Sequence, residues 1–482
     1  MKRIIASFFI LSTLLLGCTK DFEELNTNPN QPERVPPNMI LTQILFNLAE
    51  FPAREAYNKG NFITQHTARQ NFTDFDRYVW GPDDGVWNSL FDRLRDINNL
   101  IILAREQGNT NYEGVGLIWK SYAFSFLTDV YGDVPYSDAL EGRDSGVYSP
   151  VYDSQEEIYE GILQDLRTAN ELLNPAGFSI QGDIIYDGSI LRWKKFANSL
   201  RLRYLLRISN KKNVSAEMGE IINNPADNPI FENLGDQAAL TYLEAAPNQW
   251  FTHTGRVGSF RERRMSQTIQ TRFEDLNDPR VREYFRPTQA FTAGNWDREF
   301  NGIPNGLGEA EALDWDGGSN FQSELAPKYF DEPNSAEALV MTYFELQFIL
   351  AEAALKGLID GNPEEFYTEG VRSALAYYNI PQDEIDTYME QESVVYAGGD
   401  PLEKIMLQKW IGSFMIGVEG WNDWRRTGLP TFTPAVSDDN NNMVPVRYLY
   451  PQSEQVFNIA NRQAAIDRQG PDNINTRIWW MD

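Results

Sequence analysis

Apolar residues recur at steps of three and four along most of the chain, as in Val115, Trp119, Tyr122, Phe126 and Val130 between Gly114 and Tyr131. That spacing puts them on one face of a helix, ready to be buried against a neighbour. The same pattern predicts helices over Trp87–Leu103, Ile158–Leu173, Leu191–Ile208, Ala336–Leu355 and Leu402–Val418. Gly108, Gly132 and Gly357 mark helix ends, and Pro363 opens the helix that follows. Long helices joined by short turns predict antiparallel helix pairs in a mainly α fold. No clean 34-residue repeat is visible, so any tetratricopeptide-like units have diverged in sequence.

Three stretches break the helical pattern. From about Pro287 to Asp331 the chain is rich in glycine and proline and lacks periodicity, which predicts a long irregular loop excursion with a functional role. Ser437 to Asn442 reads as an exposed polar loop. At the N-terminus, Lys2 and Arg3 precede an apolar run from Ile4 to Leu16, which has the form of an export signal and is too short to span a bilayer.

That signal ends in Leu15-Leu16-Gly17-Cys18, and Cys18 is the only cysteine among the 482 residues. Leu-Leu-Gly-Cys resembles a bacterial lipobox, so Cys18 is expected to be lipidated and to become the first residue of the mature chain. Residues 1–17 are then the signal peptide. Residues 18–37, polar and closed by Pro36-Pro37, are a tether to the folded body, residues 38–482. Several acyl chains on one residue would make attachment stable. Without a second cysteine no intramolecular disulfide can form, and packing must hold the fold. The acidic residues Asp21, Glu23 and Glu24 fit a surface-export signal or a plain solvated linker.

Charge narrows the partners. The formal net charge of -27 becomes -29 once Lys2 and Arg3 leave with residues 1–17, which contain no acid. Nucleic acid and anionic membrane surfaces are therefore poor partners. Arg261, Arg263, Arg264, Arg280, Arg282 and Arg286 form a local basic strip, read as helix surface and ion pairing.

Several motifs, in order, carry a resemblance to a known family. The lipobox is followed by Asp21-Phe22-Glu23-Glu24-Leu25-Asn26-Thr27-Asn28-Pro29-Asn30, and Tyr131-Gly132-Asp133-Val134-Pro135-Tyr136 closes a long helix. Then come Asp278-Pro279-Arg280, Leu350-Ala351-Glu352-Ala353-Ala354, Gln408-Lys409-Trp410-Ile411 and Glu419-Gly420-Trp421-Asn422-Asp423-Trp424-Arg425-Arg426. Pro445-Val446-Arg447-Tyr448-Leu449-Tyr450-Pro451, with Glu454 and Asn458, ends the series. Together they resemble the SusD/RagB family of surface lipoproteins, and within it the SusD-like subgroup. The resemblance implies one α-helical domain of four tetratricopeptide-like helix pairs carrying a loop insertion. It also implies a lipoprotein of the outer membrane of Bacteroidetes, facing outward, with no catalysis and no cofactor. Such proteins bind oligosaccharides, or in some cases peptides, and deliver them to a SusC-like TonB-dependent transporter.

Ligand residues are expected among aromatics outside the helical register, because flat sugar C–H faces pack on rings while hydroxyls bond to polar groups at the rim. Trp80, with Tyr78, precedes the helix that contains Trp87; Trp296 and Trp315 lie in the excursion, beside Asp297 and Arg298. The Tyr131–Tyr136 and Trp421–Arg426 motifs read as scaffold.

Enzymatic readings find less support. A glycosidase needs two carboxylates across a cleft, and no spacing among 69 acidic residues singles out a pair. His66 and His253 are the only histidines and form no metal motif, so both read as structural or surface residues. Asp314 to Asn320 begins like a calcium loop but has Gly318 and Leu325 where ligands are needed, and reads as a glycine-rich turn.

Overall fold

The structure, a computed structural model, describes residues 36–142, 145–254, 259–437 and 439–481. The signal peptide, Cys18 and almost all of the tether lie outside the described residues.

The helices expected from periodicity form and pack in sequence. α1 (Pro37–Glu55) starts on Pro37. After the short strand β1 (Thr67–Arg69) come α2 (Asp84–Glu106), α3 (Thr110–Tyr131), α4 (Gln155–Leu172) and α5 (Ile190–Ile208). Each of α2 to α4 packs against the next, giving the consecutive helix pairs of a tetratricopeptide-like array. Their N-termini are capped by side chains: Asp83 accepts from Gly85 N at 2.7 Å ahead of α2, and Ser154 and Glu157 form a capping box ahead of α4. Such caps each contribute about 1 kcal/mol.

The second half is less regular. Strands β2 (Ala238–Thr241) and β3 (Arg263–Met265) precede α6 (Gln267–Leu276). β4 (Glu337–Met341) then leads into α7 (Tyr343–Leu355), followed by α8 (Pro363–Tyr377), α9 (Pro401–Gly412), α10 (Glu419–Thr427) and α11 (Ile459–Gln469). β1 pairs antiparallel with β3, Thr67 opposite Met265, and β2 with β4, Leu240 opposite Ala338. The predicted helix Ala336–Leu355 is therefore a strand followed by a helix. Ala338-Leu339-Val340-Met341 is buried, and an apolar run buried on both sides has the same sequence pattern in a strand and in a helix. The predicted helix Leu402–Val418 stops at Gly412, because Met415 and Gly417 take φ of 62° and 54°.

The Tyr131–Tyr136 and Trp421–Arg426 motifs are packed into the frame. Gly132 has φ 82°, and a Cβ there would lie 2.2 Å from Gln469 Oε1, so only glycine fits that helix exit. Trp421 is fully buried and donates from Nε1 to the Pro445 carbonyl at 2.8 Å, while the Arg425 guanidinium lies 3.8 Å over its ring. Buried ion pairs join the helices: Arg203 with Glu345, Arg207 with both Asp129 and Glu419, and Arg426 with Glu352. The arginine strip is not helix surface throughout. Arg263 and Arg264 are buried in β3, and Arg280 is buried against Asp278 and Gln408. His66 is a core residue, bonded to Thr64 Oγ1 at 2.7 Å and the Trp410 carbonyl at 2.8 Å; burial pushes its pKa down to about 3, so it is neutral.

The excursion is not structureless. It holds short helices at Gln289–Thr292 and Glu309–Asp314 and tight turns at 315–317, 319–321 and 327–329. Side-chain amides replace the regular backbone ladder. Asn301 Nδ2 donates to the Phe321 carbonyl at 2.8 Å, Gln322 Nε2 to the Ala312 carbonyl at 2.8 Å, and Asn305 Nδ2 to the Thr67 carbonyl at 2.9 Å. Ile303, Leu307 and Ala312 close a small second core with Ala68 of β1. The β1–β3 pair thus welds the excursion to the loop that follows β1.

Candidate ligand-binding site

The loop between β1 and α2, residues 70–83, carries four aromatics in nine positions: Phe72, Phe75, Tyr78 and Trp80. Phe72 and Tyr78 hold φ of 55° and 63°, a conformation bulky residues rarely adopt and one that tends to occur at functional sites. Trp80 is half-buried, with its ring stacked on Phe75 at 4.6 Å and its Nε1 donating to the Phe75 carbonyl at 3.0 Å. The buried rings of Tyr448 and Trp421 meet it edge-on at 5.7 and 6.4 Å. The indole is fixed from behind, and its remaining surface lines a cavity of about 420 Å³.

That cavity is apolar on one side, where Phe72, 60% exposed, and Val79 join Trp80. Its other side is polar. α1 runs on into a π-helical turn, Ala56–Gly60, that brings Lys59 to the wall, where its ammonium pairs with Asp83 and lies 4.6 Å over the Tyr448 ring. The Tyr448 hydroxyl donates to Glu55 at 2.8 Å. Burial works to discharge Lys59, but Glu55 and Asp83 more than offset it and hold its pKa above the ordinary lysine value. Lys59 therefore stays charged and paired, and the cavity lining sets Lys59 and Arg69 against Asp74 and Asp83, so its formal charges balance. A rigid aromatic face opposite fixed polar groups suits a neutral, hydroxyl-rich ligand.

The expected ligand residues divide among separate places. Trp80 lines the cavity. Tyr78 is only 4% exposed and supports Trp80 by an edge contact at 6.2 Å. Trp296 packs edge-on against Phe321 at 5.2 Å with the Arg298 guanidinium over its ring at 5.3 Å. Trp315 is half-buried against the small Ala68–Ile303 core. Asp297 and Arg298 line a second concavity of about 560 Å³ beside α6. The two loops do lie side by side: Gln70 Nε2 donates to Ser319 Oγ at 2.5 Å and to Gln322 Oε1 at 2.9 Å. They do not bring the three tryptophans to one cavity. Sequence reading missed Phe72, Val79, Lys59 and Tyr448; the aromatic density of residues 72–80 was the available signal for the first two.

Asp76 anchors the loop from below, accepting from the Arg69 N–H at 2.6 Å. Burial pushes its carboxyl from the ordinary 3.8 up to about 7, against the pull of Arg69 and Arg263. The folded protein keeps this proton where the unfolded chain has lost it, so Asp76 makes stability fall as pH rises from about 4 to about 7. Asp76→Asn is expected to flatten that slope in urea midpoints measured across the window. An unchanged slope would remove Asp76 as its source.

Comparison with known proteins places this architecture. The model of the family described as starch-binding and associating with the outer membrane matches residues 29–451. The chain belongs to the SusD-like family. Similar solved structures include a SusD homolog from Bacteroides fragilis NCTC 9343, 27% identical with a TM-score of 0.81, covering 93% of this chain and 100% of the other. A chitin-binding protein is 28% identical, with a TM-score of 0.80 over 92% of this chain and 99% of its own. A chitin-binding SusD homolog from Flavobacterium johnsoniae, at 21% identity and a TM-score of 0.77, covers 92% of this chain and 98% of its own and shares the fold. No curated protein matches the chain. Within this SusD-like scaffold, the helix pairs supply the frame, and the loop after β1, with Lys59 and Tyr448, lines the aromatic cavity.

Proposed function

We propose that this SusD-like protein captures a neutral oligosaccharide in the Trp80 cavity, without catalysis, and hands it to a SusC-like TonB-dependent transporter. It does so as a lipoprotein held through Cys18 at the outer membrane, facing outward. The observation that carries the reading is the Trp80 indole, locked by Phe75 and Tyr448 with one part left open to an internally neutralised cavity. Sugar rings pack on such a face, and fixed polar groups take their hydroxyls. Chito-oligosaccharides are the first ligands to try, given the chitin-binding relatives of the same fold. Calorimetric titration of the purified protein should show saturable binding, with no new reducing ends released on long incubation. Release of reducing ends would favour a glycosidase instead.

The anchor is tested separately. Cys18→Ala should leave a folded protein that binds glycan and no longer sediments with membranes, since acylation supplies the attachment and the high effective concentration beside a partner. Membrane retention of the variant would contradict lipidation at Cys18 as the anchor.

A further inference from the structure

Two segments distant in sequence meet beside the Trp80 cavity. Ser149 Oγ donates to the Phe457 carbonyl at 3.2 Å, Asn458 Nδ2 to the Pro150 carbonyl at 2.9 Å and Asn461 Nδ2 to the Ser149 carbonyl at 2.9 Å. The Tyr152 hydroxyl donates to Glu454 at 2.7 Å. This fixed joint presents two aromatic rings to solvent, Tyr148 at 83% exposure and Phe457 at 75%, with Val456 and Ile459 also exposed. The joint is tied to the cavity wall: Leu449 and Asp83 line the cavity, and Ser453 donates through N and Oγ to Asp84 at 3.3 and 2.8 Å.

Charge decides what this surface fits. From Gln452 to Ala464 every exposed residue is glutamine, alanine or a larger apolar residue, while Glu454 and Arg462 are half-buried and bonded to Tyr152 and Asp472. On a chain of net charge -27, this segment exposes no cation to an anionic polymer and no carboxylate to a basic peptide. Exposed rings beside the amides of Gln452 and Gln455 match the two faces of a neutral sugar, C–H and hydroxyl.

We propose that the Tyr148–Phe457 strip holds the distal sugar rings of a long neutral glycan whose proximal end sits in the Trp80 cavity. The inference rests on the glycan reading of that cavity and extends it to ligand length. Long chains then bind more tightly than short ones, because the second contact is made by a chain already held at the first.

The test is titration of wild type and of a Tyr148→Ala/Phe457→Ala variant with chito-oligosaccharides of two and of six sugars. The variant is expected to bind the longer ligand about tenfold more weakly and the shorter one as wild type does. Equal loss for both lengths, or no loss for the longer, would overturn the proposal. So would unchanged six-sugar affinity with lost co-purification of the transporter, which would make the strip a protein-docking face. Wild type that binds neither ligand would fail the cavity reading itself, a distinct result. Because both side chains are exposed, thermal melting should be unchanged; a Tyr148→Phe/Phe457→Tyr variant, which keeps both rings, should restore long-chain affinity.

Discussion

Trp80→Ala is expected to weaken binding of a neutral oligosaccharide by about 30-fold, equivalent to ~2 kcal/mol, the loss usual when a buried aromatic anchor is truncated. The indole is fixed by the core through Phe75 and Tyr448 and stays open to the cavity. Removing it also takes one ring contact from each of Phe75 and Tyr448, so Trp80→Ala loses stability as well. Trp80→Phe separates the two effects: it keeps a flat face and should retain most of the affinity. Trp315→Ala provides the contrast. Its ring rests on the small core of Ala68, Ile303 and Leu307, so it should lower the melting temperature with little change in cavity affinity. Calorimetry on the three variants checks the ordering, and equal affinities for Trp80→Ala and wild type would contradict it.

The largest effect on stability is expected at Arg426. Its guanidinium is buried with the Glu352 carboxylate, bonding Glu352 Oε2 at 2.7 Å and Asp423 Oδ1 at 3.0 Å. Burial alone would raise the pKa of Glu352, but Arg426 reverses this and holds it below the ordinary value. Asp423 falls to about 2, its burial outweighed by Lys409 and Arg426. Acids with depressed folded pKa values stabilise above their unfolded values, so this contribution is lost as pH falls from about 4 toward about 2. Arg426→Met leaves Glu352 buried with only Lys356 bonded to it and Lys409 nearby, and should cost about 3–5 kcal/mol at neutral pH. Adding Glu352→Gln should restore part of that loss, because it removes the uncompensated charge. Urea unfolding of the single and double variants measures both, and a cost near zero for Arg426→Met would contradict the buried-pair account.

The helical frame was legible because its apolar faces repeat every three to four residues, and α2 to α5 form within a few residues of the predicted limits. The failure at 336–341 has the opposite cause, since a run buried on all sides has no period to read. The excursion looked structureless because its order comes from Asn301, Asn305 and Gln322 bonding to distant backbone, partners that no local pattern announces. Within the candidate site, Trp80 was legible as an aromatic outside the helical register. Tyr448 was not, because it meets Trp80 across most of the chain and its motif reads equally well as scaffold. Lys59 was hidden because a π-helical turn, not a regular helix, turns it toward the cavity.

Diffraction from crystals of the protein grown with a six-sugar chito-oligosaccharide should show sugar density in the Trp80 cavity, with one ring packed flat on the indole and further rings running toward Phe457. Ordered sugar elsewhere on the surface, with that indole bare, would contradict glycan capture in that cavity.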